Sequence, residues 1–169
     1  DEESGALKSF FNQLLRLPKA DRKPLIRHVV DAVMPTRDEL PAHEWIVQLN
    51  KAYPWDIGVL SPCILQLVIL QPGQALFLPA GKLHAYLQGV SIELMANSDN
   101  VLRGGLTPKH VDIDELLKVL TFDAPSLEIL EPQRIGTNHR RYSSRADEFE
   151  LEAVSVDRST PYDSGVRPS

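Results

Sequence analysis

Over the first fifty residues, apolar side chains recur three and four positions apart; beyond them come short apolar runs cut by proline and glycine. In residues 4–17, Leu7, Phe10, Phe11, Leu14 and Leu15 fall on one helical face, and Pro18 ends the segment. Residues 21–34 repeat the pattern with Leu25, Ile26, Val29, Val30 and Val33, stopping before Pro35. A third helix is predicted from Thr36, where Thr36-Arg37-Asp38-Glu39 fits a capping box, through Trp45, Ile46 and Leu49. Tyr53-Pro54-Trp55-Asp56-Ile57-Gly58 breaks the period and marks a boundary. Past it, Ile64–Leu70 reads as a buried strand, and Ala75–Leu78, Ala85–Leu87 and Val90–Met95 read as further strands separated by turns. A short helix is predicted over Asp114–Leu120, with acidic residues at its N-terminus. After Phe122 the pattern is irregular until a last alternating strand from Phe149 to Val156. No repeat of solenoid period is present.

The reading is a mainly β chain with a helical appendage: a helical segment over 1–52, a β-barrel portion over 53–157 and a flexible, Ser/Pro/Gly-rich tail over 158–169. A length of 169 residues suits one ordinary domain or a small domain with an appendage, and an apolar content of 43% provides for a core. The net charge of -5 argues against a general nucleic-acid binder. No run reaches the length of a membrane span and no signal peptide opens the sequence, so a cytoplasmic location is expected. Cys63 is the single cysteine, which excludes an internal disulfide framework and a multi-cysteine zinc site. The sequence starts at Asp1 directly in helical periodicity, which suggests a piece of something longer.

Candidate chemistry concentrates between Gln71 and Lys109. Pro72-Gly73 and Pro79-Ala80-Gly81 make two tight turns around a short strand, and His84 follows at the head of the next. Such a layout carries a histidine to the mouth of a small barrel, where imidazole is a common metal ligand; the plainer reading is a core histidine bonded to a backbone carbonyl. Arg103 and Lys109 bracket Gly104-Gly105-Leu106-Thr107-Pro108, a loop able to approach a ligand closely. An arginine fork and a lysine point charge suit a phosphorylated small molecule, unless both are surface cations serving Asp99, Asp112 and Asp114. Glu93 and Asp99 are the candidate acid/base groups, a structural salt bridge being the rival for Glu93. Tyr86 shares the strand face of His84 and either donates to substrate or fills the barrel. His28 and His43 sit among charged neighbours and read as solvated helix residues.

The spacing Gly73-x5-Pro79-x-Gly81-x2-His84 resembles the second conserved motif of cupins, with Gln88 where that motif closes on asparagine. More specifically, HAYLQG (84–89), ELMANSDN (93–100) and LRGGLTPK (102–109) are similar, in order, to motifs of the type I phosphomannose isomerases. YPWDIGVLSP (53–62) matches in register, the resemblance runs from Tyr53 to Phe122, and the preceding helices resemble that family's helical insert. It implies a jelly-roll antiparallel β-barrel and a zinc-dependent isomerase interconverting mannose 6-phosphate and fructose 6-phosphate through an enediol. It further implies His84 as metal ligand, Arg103 as catalytic, Glu93 and Asp99 as catalytic pocket carboxylates, and Tyr86 and Lys109 as substrate-binding. Gly104 stands where many members have alanine. The family's other zinc ligands, a Gln-x-His pair and a glutamate, precede the matching region, so the chain by itself is expected to be inactive.

A sugar phosphate is the implied partner, with no nucleic acid or membrane, in a monomer. Two rival classes remain open at this point. A cupin-type metal oxygenase needs a histidine-rich iron site and no Arg–Lys pair around a Gly-Gly loop. A non-catalytic sugar-binding or regulatory cupin would show affinity without turnover.

Overall fold

A computed structural model describes residues 2–98, 101–123, 127–159 and 162. The chain divides into two compact units, one built from Asp1–Ile69, Pro79–Gln88 and Asp99–Pro125, the other from Leu70–Leu78, Gly89–Ser98 and Ser126–Ser169.

The first unit is helical. Helix α1 (Glu2–Leu15) buries Phe11 and Leu15, and α2 (Lys19–Val33) buries Ile26, Val30 and Val33, as their apolar spacing requires. The Arg22 guanidinium closes the end of α1 by donating to the Leu15 and Leu17 carbonyls, both at 2.8 Å. The third helix differs from its expected start. Met34–Thr36 is a 3-10 turn, and α3 runs over Pro41–Ala52 with Leu40 extended before it. Proline pushes the residue before it out of the helical region and fits the first helical position, so Pro41 sets the start. Thr36 does not cap α3; its hydroxyl lies 2.8 Å from His43 Nδ1 and donates to the Val33 carbonyl at the end of α2 at 3.3 Å.

Asp56 then caps a 3-10 stretch, Ile57–Cys63, accepting from the Gly58 amide at 2.7 Å. Helix α4 (Ile113–Val119) is capped by Asp112, which accepts from the Glu115 amide at 3.0 Å. Ile26 of α2, Ile46 of α3, Val59 of the 3-10 stretch and Leu116 of α4 are the fully buried centre of the core. Phe11 meets Phe122 edge-on at 5.9 Å between ring centroids.

In the second unit, β1 (Ala75–Leu76) pairs antiparallel with β2 (Ile129–Leu130). A meander of β3 (Gln133–Arg134), β4 (His139–Tyr142) and β5 (Leu151–Val154) forms a second sheet. The buried Tyr142 donates its hydroxyl to the Gly73 carbonyl at 2.6 Å, fastening the sheet to the turn before β1. Gly73 has φ +89°, a conformation that suits glycine.

The mainly β expectation holds only in part. Regular structure is mostly helical, the sheets are small, and no closed barrel forms among the described residues. Segments 64–70, 77–78, 85–87 and 90–95 read as strands in the sequence but belong to no sheet. Ile69 (75% exposed), Val90 (104%) and Ile92 (80%) stand in the open. An apolar run or alternating pattern becomes a strand only when a neighbouring strand takes up its ladder, and these segments meet none among the described residues. Of the residues after Ser159, Tyr162 alone is described.

Candidate functional site: a histidine segment and a cation-bearing loop

Residues 79–88 rest on the helical unit through Leu83 and Leu87, both packed against its core. The residues between them, His84, Ala85 and Tyr86, are left exposed. His84 Nδ1 lies 2.8 Å from the Lys82 carbonyl. A carbonyl only accepts, so Nδ1 carries the hydrogen and, in the neutral ring, Nε2 keeps its lone pair. Imidazole ligands are oriented for a metal in this way, by a hydrogen bond at the other ring nitrogen. The plainer expectation, a core histidine bonded to a backbone carbonyl, is met in its bond but not in its burial, since the ring lies on the surface. Lys82 is itself held, its ammonium donating to the Asp123 carbonyl at 2.5 Å. The Tyr86 ring stands edge-on to His84, 5.9 Å between centroids and 64° between planes. The two rings meet as a shared strand face would place them, although no strand forms.

The loop after Val101 is seated by Leu102 and Leu106, which pack against the same core. Gly104 lies so close to Leu83 that a Cβ there would come within 2.6 Å of Leu83 Cδ1. That contact sets the loop against the residue next to His84. Gly105 (φ +139°) and Leu106 (φ +53°) bend it through left-handed backbone. On its far side, Gly58 admits the loop, since a Cβ at Gly58 would lie 2.9 Å from the Leu106 nitrogen. The half-buried Asp56 bridges the two segments: Oδ1 accepts from the Gly58 amide and Oδ2 from the Thr107 amide at 3.4 Å. Thr107 Oγ1 in turn accepts from the Lys109 amide at 3.2 Å.

Arg103 and Lys109 are exposed, and the ion pairs of the described residues include neither. Two of the three acids that could have occupied them are engaged elsewhere, Asp112 as the α4 cap and Asp114 in an ion pair with Arg16. Asp99, the third and also a candidate acid/base group, lies outside the described residues. Glu93 is exposed in Gly89–Ser98, a segment of the second unit. Asp56 was not among the residues singled out from the sequence. Its signal was Asp-x-Gly at the start of the 3-10 stretch, a spacing that lets a carboxylate cap the amide two residues on.

Among the described residues, no cluster of three or more His, Cys, Asp or Glu side chains could hold a metal. His84 fits a metal as one donor of a larger set, with the correct nitrogen available. No helix among the described residues is long and apolar enough to cross a membrane.

No protein-family model matches the chain. Curated relatives do. The chain is 34% identical over 155 residues to a probable mannose-6-phosphate isomerase of Caenorhabditis elegans, covering 91% of this chain and 37% of that protein. With the mannose-6-phosphate isomerase of Escherichia coli the identity is 42% over 134 residues, 77% of this chain and 33% of the relative. Among solved structures, the apo form of mannose 6-phosphate isomerase from Salmonella typhimurium aligns with a TM-score of 0.79 at 34% identity, covering 88% of this chain and 38% of that one. The chain therefore spans about a third of the length of these relatives, 33% to 38%.

Proposed function

We propose that this chain, a homologue of the mannose-6-phosphate isomerases along most of its length, contributes to a site that interconverts mannose 6-phosphate and fructose 6-phosphate. The observation that carries the reading is the packing of Gly104 on Leu83, by which the cation-bearing loop adjoins the histidine segment. An anion-binding pair next to a metal-ready imidazole suits a phosphorylated sugar whose carbonyl must be polarised. The oxygenase does not call for this pairing, and the mannose-6-phosphate isomerase names of the relatives favour the enzyme over a non-catalytic sugar-binding cupin.

In this reading His84 would hold zinc through Nε2, with the remaining ligands drawn from outside the described residues. When bound, zinc supplies Lewis-acid polarisation of the substrate's oxygens. The chain's own residues do the rest. Arg103 lies near the reacting carbons and stabilises negative charge as the proton leaves C2. Lys109 holds the phosphate end, and Tyr86 donates a hydrogen bond to a sugar oxygen. Glu93 or Asp99 carries the proton between C1 and C2. Residues 53–157 would form part of a cupin-type barrel in a cytoplasmic monomer, and the chain alone would not turn over substrate.

The test is a coupled assay of the complete protein carrying this sequence, with zinc and mannose 6-phosphate. Isomerisation without oxygen uptake is expected. Sugar-phosphate binding without turnover would replace the enzyme reading with the binding one, and iron-dependent oxygen uptake would favour the oxygenase.

A further inference from the structure

We infer that Asp56 is a positioning residue for the proposed isomerase site, acting as the tether that fixes the loop from Arg103 to Lys109. The inference rests on the functional reading above for its kinetic consequence, though not for its geometry.

Loops that carry catalytic cations lose rate when their side chains wander, and a displacement of about 1 Å can cost on the order of 100-fold. This loop has little regular structure to hold it: no helix or strand lies between Val101 and Asp112. Gly105 and Leu106 sit in left-handed backbone, and for Leu106 that conformation is intrinsically unfavourable. Something outside the loop must hold it there. Hydrophobic seating by Leu102 and Leu106 fixes its depth but gives no direction. The Asp56 carboxylate supplies direction. One oxygen is committed to Gly58 at 2.7 Å, which locks the carboxylate, and the other reaches the Thr107 amide. Gly105 and Gly58 make the approach possible, since a Cβ on Gly105 would stand 3.1 Å from Asp56 Oδ1 and 3.2 Å from Gly58 Cα. From Thr107 the restraint passes to the Lys109 amide through Oγ1. Arg103 and Lys109 flank the tethered residues, so one half-buried carboxylate governs the attitude of both cations.

Asp56→Asn isolates the tether. Its amide oxygen still accepts from Gly58, while its NH2 faces the Thr107 N–H and cannot accept from it. In the complete protein, Asp56→Asn should lower kcat by about 10-fold or more with zinc content and melting temperature held near the parent values. In the same protein, the Thr107 amide should exchange hydrogen faster while Gly58 keeps its protection. Thr107→Val, which keeps the backbone bond and removes the Oγ1 relay, should raise KM more than it lowers kcat. Parent-like kcat in a folded Asp56→Asn variant would overturn the inference, as would unchanged exchange at Thr107. If the parent itself shows no isomerisation, the functional reading fails, and the amide exchange alone then decides whether the tether exists.

Discussion

His84 and Lys82, two residues apart, fix each other's role: the Lys82 carbonyl takes the Nδ1 hydrogen of His84 at 2.8 Å, and the lysine ammonium anchors the segment on the Asp123 carbonyl. The imidazole is thereby oriented, and in the neutral ring the Nε2 lone pair is left available to a metal.

Replacing His84 should therefore act first on metal binding. His84→Ala in the complete protein is expected to lower zinc affinity by at least about 10-fold. Competition against a chromogenic chelator measures this. Unchanged zinc affinity would assign His84 a purely structural bond.

Gly81 governs how the same segment turns toward α4. Its φ of +81° disfavours any side chain, and a Cβ would lie 2.6 Å from the Val119 carbonyl oxygen. Its own carbonyl accepts from the Thr121 amide at 3.0 Å, so the turn has no room to retreat. Gly81→Ala should destabilise the protein by more than about 1 kcal/mol, read from the midpoint of urea unfolding at unchanged slope.

The β4–β5 hairpin carries an acid-sensitive contact. The hydrogen bond from Arg141, then that from His139, holds the Glu152 carboxyl below the ordinary carboxylate range. A group depressed on folding stabilises the native state above its unfolded pKa, and that contribution is lost as pH falls through the folded value. Protection factors of the hairpin amides, exchange rates corrected for the intrinsic effect of pH, should thus fall as pH drops below the ordinary carboxylate range. Glu152→Gln should show a flatter acid dependence; an identical profile in both proteins would remove Glu152 from the account.

The helices were legible because their burial is local: each shows its apolar face within its own fifteen or so residues, as Ile26 and Ile46 do. Their ends were less so, since the Thr36 capping pattern was outweighed by Pro41. Strands depend on partners far along the sequence. Val90–Met95 has the strand pattern and lacks a partner strand among the described residues, while β2 to β4 arise in a stretch whose pattern is irregular. The site showed the same divide. His84, Tyr86, Arg103 and Lys109 announce themselves by residue type, whereas Asp56 matters through an amide fifty-one positions away, a relation that no local pattern encodes.

The isomerase reading stands or falls on the conversion of fructose 6-phosphate to mannose 6-phosphate by the zinc-loaded complete protein, with the parent compared against Arg103→Ala. Turnover is expected in the parent, with a loss of at least about 100-fold in kcat for the variant and zinc still bound stoichiometrically. A parent that binds zinc and sugar phosphate without turnover, or an Arg103→Ala variant as fast as the parent, would contradict it.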